Sequence, residues 1–253
     1  MKDDIINDYV INYLGTMELA VKYNVNRITI QRYLIAAGVK LRRITPKTKV
    51  NHFYFSNYNP ENCYWAGFIL ADGYIRTNKR FTLEIKLQKQ DVIHLHKIKK
   101  DMGYDGKVIE KETYFNISIS SPQLIEDLNK NFGIYNKKSL TCTIIDKIPK
   151  IYLKDFIRGY FDGDGCITYT SIDAITFLGT EKTVDFIRKY FYNEVNITLR
   201  SKNMPDITKN SNICVIQYSG KAAFKCLQHM YENSTQYLDR KYLKYCDLIE
   251  KYT

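Results

Sequence analysis

The sequence predicts an α+β fold in which an αββαββα unit occurs twice, behind a small three-helix module at the N-terminus. Three observations carry this reading. Trp65-Ala-Gly-Phe-Ile-Leu-Ala-Asp-Gly73 and Ile157-Arg-Gly-Tyr-Phe-Asp-Gly-Asp-Gly165 are two versions of one apolar helix, each with Gly at its third position and each ending in Asp-Gly. Phe81-Thr-Leu-Glu-Ile-Lys-Leu87 alternates strictly, as a strand with one buried face does. Gly15-Thr16 and Asn24-Val25-Asn26 break the first 43 residues into three short helical stretches.

The first helix is expected from Asp3 to Leu14. Thr16 is expected to cap a second from Met17 to Tyr23, and the third runs from Arg27 to Ala37, with Gly38 at a natural C′ position. Leu19, Ala20, Val25, Ile30 and Leu34 would form a small core. The arrangement resembles a helix-turn-helix of the resolvase or repressor sort, which turns Arg27, Thr29, Gln31 and Arg32 toward a DNA groove. No acidic residue occurs between Glu18 and Glu61, whereas Lys22, Arg27, Arg32, Lys40, Arg42, Arg43, Lys47 and Lys49 do. A solvated face mixes signs; a one-sign run suits a phosphate backbone, so Arg42 and Arg43 join the DNA-binding candidates. Residues 1–43 are read as this module, and residues 44–58, which lack periodicity, as a basic linker.

The first repeat spans 59–145. Asn59-Pro60 is an N-cap followed by Pro at N1 and starts the first signature helix. Tyr74 to Arg76 and Phe81 to Leu87 form a hairpin; Phe81, Leu83, Ile85 and Leu87 share one face, and Thr82, Glu84, Lys86 and Gln88 the other. A helix over Val92–Met102, a second hairpin over Lys107–Ser120 and a helix over Pro122–Phe132 follow. The second repeat spans 146–253. It has a signature helix after Pro149, strands near Cys166–Thr170 and Ala174–Leu178, and a helix over Lys182–Tyr192. Strands near Thr198–Lys202 and Ile213–Ser219 follow, then helices over Ala222–Glu232 and Arg240–Tyr252.

At 253 residues with 45% hydrophobic composition the chain can bury a full core. No apolar run approaches the roughly 18 residues of a membrane span, and no apolar stretch follows Met1-Lys-Asp-Asp as in a signal peptide, so an intracellular protein without membrane contact is expected. The net charge of +11 favours a polyanionic partner. The six cysteines contain no CxxC pair, which argues against zinc clusters and redox motifs. His94 and His96 fall on different sides of their helix and are read as solvated surface residues rather than metal ligands.

The chemistry lies in Asp72 and Asp164, 92 positions apart. A carboxylate at a helix C-terminus is poorly placed, because the carbonyl end already carries partial negative charge. The same unfavourable placement twice, in a basic chain, points to a divalent metal and to metal-assisted attack on a nucleic-acid phosphodiester.

Both segments resemble the nine-residue signature that names the LAGLIDADG homing endonucleases, and the likeness extends over roughly residues 59 to 253. The resemblance implies that the two signature helices pack together on a pseudo-twofold axis between two saddle-shaped antiparallel sheets. Gly67 with Ala66, and Gly159 with Gly163, would permit the close approach. It implies that Asp72 and Asp164, at the eighth position, bind Mg²⁺ or another divalent cation such as Mn²⁺, joined by the backbone carbonyls of Ala71 and Gly163. At position six the first signature has Leu70 where the family carries an acid, while the second keeps Asp162; that position is not the family's essential ligand. Lys138 and Lys241 fall where the family places a lysine beside each metal site, to position water and stabilise phosphorane charge. The concave sheet faces would read bases through Arg76, Asn78, Arg80, Glu84, Lys86 and Gln88 in one half. Thr168, Thr170, Thr176, Arg200, Lys202 and Gln217 would serve in the other. The implied activity is double-strand cleavage of a long, asymmetric DNA site by a monomer acting as a pseudo-dimer, supporting the spread of an intron or mobile gene. An RNA-splicing maturase and a catalytically inactive DNA-binding regulator are the alternatives on the same fold, and retention of both acids argues against each.

Overall fold

The computed structural model describes residues 1–42, 48–78, 80–136, 147–169, 172–198 and 213–252. The chain forms two compact units, Met1–Thr48 and Lys49–Thr253.

The first unit holds α1 (Lys2–Val10), α2 (Thr16–Lys22) and α3 (Arg27–Ala36). α1 ends earlier than expected, at Val10 rather than Leu14, where the Asp8 side chain and carbonyl capture Asn12 and the Leu14 amide. α2 begins one residue earlier than expected: Gly15, not Thr16, is its N-cap, and the Glu18 carboxylate accepts the Gly15 N–H at 2.6 Å. Asn26 caps α3 by accepting the Ile28 N–H at 2.8 Å, and Gly38 follows at φ +73°, a left-handed position open to glycine. Ile5, Leu19, Ile30 and Leu34 are fully buried with Tyr9 beside them, and Ala20 and Val25 pack against this core, as expected.

The second unit opens with the segment expected as linker. Residues 49–58 are instead part of its core. Phe55 is fully buried against Phe132, His52 Nδ1 meets Ser121 Oγ at 2.8 Å, and Asn131 donates to the Phe55 carbonyl at 2.8 Å. Aromatic side chains without a helical or strand period hide such a strap from pattern reading, because its partners lie about 70 residues away.

The signature helix α4 (Pro60–Asp72) leads directly into β1 (Gly73–Arg76); β2 (Thr82–Gln88), α5 (Val92–Asp101), β3 (Ile109–Glu110), β4 (Tyr114–Ser120) and α6 (Pro122–Phe132) complete the first repeat. The antiparallel sheet has the order β1-β2-β4-β3. Leu83, Ile85 and Leu87 are buried as the alternation requires, while Phe81 falls just outside the strand and is exposed. The second repeat has α7 (Leu153–Asp164), β5 (Cys166–Tyr169), β6 (Asp173–Gly179), α8 (Glu181–Val195), β7 (Cys214–Ser219), α9 (Lys221–Tyr231) and α10 (Asp239–Tyr252). Its described strands pair antiparallel in the order β5-β6-β7. The strand expected near Thr198–Lys202 lies, apart from Thr198, outside the described residues.

α4 and α7 touch backbone to backbone. A Cβ on Gly67 would stand 2.0 Å from the Phe156 carbonyl oxygen, and one on Gly159 would stand 1.9 Å from that of Tyr64. Each glycine therefore opens the other helix's seat, and the contact has the symmetry of the duplication. Gly67→Ala is expected to destabilise the second unit by about 3 kcal/mol, since the added carbon meets rigid backbone and the helices must separate. Urea denaturation measures this; a wild-type midpoint would show that the helices have room to spare.

Candidate active site and DNA-facing surface

Asp72 and Asp164 are the last residues of α4 and α7, and the glycine after each has an extended backbone that leads into a strand. What excludes a side chain at Gly73 and Gly165 is the preceding turn: a Cβ added at either would come within 3 Å of Ile69 in one case and Phe161 in the other. The two helix ends adjoin. A Cβ on Gly163 would lie 2.3 Å from the Ala71 Cβ and 3.4 Å from Asp72 Oδ2. Asp72, Ala71 and Gly163 thus converge beside Asp164, which is exposed, while Asp72 is half-buried. Hard oxygen donors from two carboxylates and adjacent helix-end carbonyls suit Mg²⁺, which keeps several of its ligands as water or phosphate. Among the described residues no group of three His, Cys, Asp or Glu side chains could hold a metal alone.

Beneath the helix ends lies a buried polar node centred on Asp162. Tyr64 donates its hydroxyl to Oδ2 at 2.7 Å, the Leu238 N–H reaches the same oxygen at 2.8 Å, and Tyr231 donates to Oδ1. Three donors make Asp162 an acceptor on both oxygens. Burial pushes its pKa up, opposed by Lys241 and by these hydrogen bonds. His94 Nε2 meets the Tyr64 oxygen at 3.0 Å. Because Tyr64 gives its single proton to Asp162, Nε2 carries the hydrogen and Nδ1 is left as the lone-pair side of a neutral ring. His94 corrects the surface reading: it is packed against Trp65 and Phe68, and burial, with Lys97, Arg240 and Lys241 nearby, holds its pKa well below the usual range. His96 is exposed.

Lys241 stands at the end of α7 that carries Asp164, and it is buried there. Its side chain is 2% exposed, and its ammonium donates to the carbonyls of Phe161, Asp162 and Gly165 at 2.5, 2.9 and 2.6 Å. Its three protons meet three carbonyls at the C-terminus of α7. The lysine is a helix cap, neutralising the negative pole on which Asp164 is mounted. Burial pulls its pKa down to about 8, with Asp162 opposing the shift. Lys138, its expected counterpart, lies outside the described residues, as do Arg43, Thr170, Arg200 and Lys202. Arg158, at the second signature position, is buried as well. It pairs with Asp155 at 2.8 Å and donates to the Gln236 and Met230 carbonyls, a structural role.

On the first sheet the outward face carries Arg76, Glu84, Lys86 and Gln88, as expected, and Asn78 and Arg80 are exposed in the β1–β2 connection. Arg76 and Glu84 pair with each other at 2.9 Å. The register adds residues the sequence reading passed over: Tyr74 opposite Glu84, Ser118 opposite Glu84 on the other side, Asn116 opposite Lys86 and Tyr114 opposite Gln88. The signal was present in Tyr114-Phe-Asn-Ile-Ser-Ile-Ser120, where Asn116 and Ser118 alternate with buried Ile117 and Ile119. On the second sheet Thr168, Thr176 and Gln217 share the outward face; Thr176 faces Gln217 and Cys166, and Thr168 faces Ala174. Among the described strand residues that face is uncharged, whereas the first is charged. In the first unit Arg27 and Arg32 are exposed and Thr29 and Gln31 half-buried, with Arg27 Nε donating to Thr16 Oγ1 at 3.1 Å. Arg42 lies over the rings of Tyr9 and Tyr13 and donates to the Leu14 carbonyl at 2.6 Å, which fixes it to its own unit.

No helix among the described residues is long and apolar enough to cross a membrane. A family model, the WhiA LAGLIDADG-like domain, matches residues 61–140. The replication factor C small subunit of Methanocaldococcus jannaschii is 28% identical over 165 residues, which make up 63% of this chain but only 9% of that protein. Among solved structures, the I-LtrWI LAGLIDADG homing endonuclease bound to target DNA aligns with a TM-score of 0.51 at 12% identity, over 80% of this chain and 92% of the other. The meganuclease I-SmaMI bound to uncleaveable DNA aligns with a TM-score of 0.52 at 12% identity, over 77% of this chain and 92% of the other. The chain has the LAGLIDADG fold, with its paired helices and antiparallel sheets.

Proposed function

We propose that this chain is a site-specific DNA endonuclease that hydrolyses phosphodiesters in both strands of a long, asymmetric double-stranded target, as a monomer acting as a pseudo-dimer. The observation that carries the reading is the convergence of two helix-end carboxylates, Asp72 and Asp164, where Gly163 leaves room for a helix end to sit against Asp72. Carboxylate oxygens carried on two adjoining helix ends suit a shared divalent cation. Asp72 and Asp164 would hold Mg²⁺ or Mn²⁺, with the Ala71 and Gly163 carbonyls beside them; the metal would polarise a phosphate oxygen and lower the pKa of bound water. Lys241 offsets the negative pole of α7, whose last residue is Asp164. The outward sheet residues, Arg76, Lys86 and Gln88 above all, would contact base edges, and the net charge of +11 supports backbone attraction. The DNA held by the similar solved structures supports the same ligand. An intracellular role in intron or mobile-gene homing follows from that activity.

A second reading, DNA binding without cleavage, draws on the match of residues 61–140 to the WhiA LAGLIDADG-like domain and on Leu70 in place of a signature acid. One experiment separates the two. The full chain is incubated with a plasmid library of random inserts, with Mg²⁺ or with EDTA, and the linear products are sequenced. Cleavage at one recurrent sequence, present with Mg²⁺ and lost with EDTA, is the expected result. Selective retention of library DNA without cutting would overturn the nuclease assignment in favour of the regulator.

A further inference from the structure

Helix α3 carries apolar side chains on two faces. Ile30 and Leu34 are fully buried in the first unit's core, yet Ile28 and Ile35 are 57% and 61% exposed. Ile28 and Ile35 lie two turns apart, so they share a face, and Gln31 and Arg32 stand between them at the i+3 and i+4 positions. The stripe therefore reads Ile-Gln-Arg-Ile. Each exposed isoleucine leaves apolar area in water that burial would stabilise. The surrounding charge indicates what covers it: α3 has no acidic residue, Arg27 and Arg32 are exposed on it, and no acid occurs from residue 19 to residue 60. The edge chemistry of a DNA major groove is complementary to this order. Thymine offers a methyl group to an aliphatic side chain, adenine a donor–acceptor pair to Gln, and guanine two acceptors to Arg. Ile28 is the second residue of the helix, in the N-terminal turn that reaches base edges in a helix-turn-helix, and α2 and α3 are joined by the short Tyr23–Asn26 turn with Asn24 at φ +49°. The span from Ile28 to Ile35 is roughly 10 Å along the axis, about three base-pair steps.

We infer that Ile28 and Ile35 are thymine-methyl readers, making the first unit specific for duplex DNA with thymines about three base pairs apart flanking the bases read by Gln31 and Arg32. This rests on the double-stranded DNA ligand of the preceding reading, and not on cleavage. The test uses the full chain and the duplex it enriches from a random library in the presence of EDTA. Thymines in that duplex are replaced one at a time by deoxyuridine, which lacks only the methyl group. Two positions about three base pairs apart are expected to lose affinity by about fourfold each, the worth of one buried methyl. Ile28→Ala is expected to abolish the loss at one position and Ile35→Ala at the other, while Ile28→Val, which keeps its branched methyl groups, preserves it. Both residues are exposed, so the variants keep the core intact. Affinity indifferent to deoxyuridine, or a deoxyuridine effect that survives in both alanine variants, overturns the inference while leaving DNA binding standing. Failure to enrich any duplex overturns the DNA reading itself. Sedimentation showing that the alanine variants dissociate a dimer would make the stripe a protein-docking face and overturn the inference as well.

Discussion

Asp72→Asn and Asp164→Asn are each expected to bind the target normally and fail to cut it. Asparagine keeps the shape of the side chain and removes the charge a divalent cation needs. The rate of double-strand cleavage should fall on the order of a thousandfold or more, at or beyond the loss of a preorganised electrostatic group. The fold is expected to hold, because asparagine is nearly isosteric with aspartate and each acid ends its helix outside the apolar core. The variants should therefore melt close to the wild-type temperature. This split, activity lost with stability held, distinguishes a functional charge from a structural one. It is checked by following supercoiled, nicked and linear DNA beside a thermal melt. Cleavage by either variant at the wild-type rate would remove the metal-binding assignment.

Lys241→Met is expected to cost roughly 3–5 kcal/mol of stability, the penalty for removing one member of a buried charged set. Methionine fills the channel but leaves the Phe161, Asp162 and Gly165 carbonyls without a donor and the Asp162 carboxylate without its nearby cation. The effect has a pH signature. The lysine's folded pKa is about 8, against an ordinary value of 10.5. Below about pH 8 the ammonium is protonated in both folded and unfolded chains, and the fold carries the full cost of burying it. Between about 8 and 10.5 the unfolded chain holds the proton and the folded one releases it, so wild-type stability rises with pH through that window. The variant lacks this contribution. The gap between wild type and Lys241→Met should widen from pH 8 toward pH 10, measured by urea denaturation at each pH. A constant gap would mean that the lysine is not buried as described.

Local punctuation made most of the fold legible. Asn59-Pro60 and Ser121-Pro122 announce helix starts, and the alternation through Thr82–Gln88 gives a strand in which Leu83, Ile85 and Leu87 are buried as named, although Thr82 on the other face is buried as well. The doubled Asp-Gly ends located the metal-binding candidates because that signal is also local. What escaped reading depends on partners distant in sequence. Lys241 looks like any surface cation until its acceptors, 76 to 80 residues earlier, are folded against it. His94 is buried by Trp65 and Phe68 from another helix, and nothing in the residues beside it declares that. The strap over residues 49–58 has neither period and is held by Ser121 and Asn131. Tertiary desolvation, rather than propensity, sets the character of each of these groups.

The Asp162 node also makes the duplication irreversible. Counting across the two signatures, Tyr64 corresponds to Phe156, and the two occupy equivalent seats, each against the other helix's glycine. A homodimer of the second half alone would thus present Phe156 where Asp162 now receives the Tyr64 hydroxyl. It would lose one donor to a buried carboxylate at each of two symmetric nodes, about 1–3 kcal/mol apiece. A homodimer of the first half would bring Tyr64 against Leu70 and strand the hydroxyl instead. Tyrosine and aspartate act as key and lock: each half has become a specific partner for the other, and neither can return to life as a symmetric pair without changing both sides of that contact.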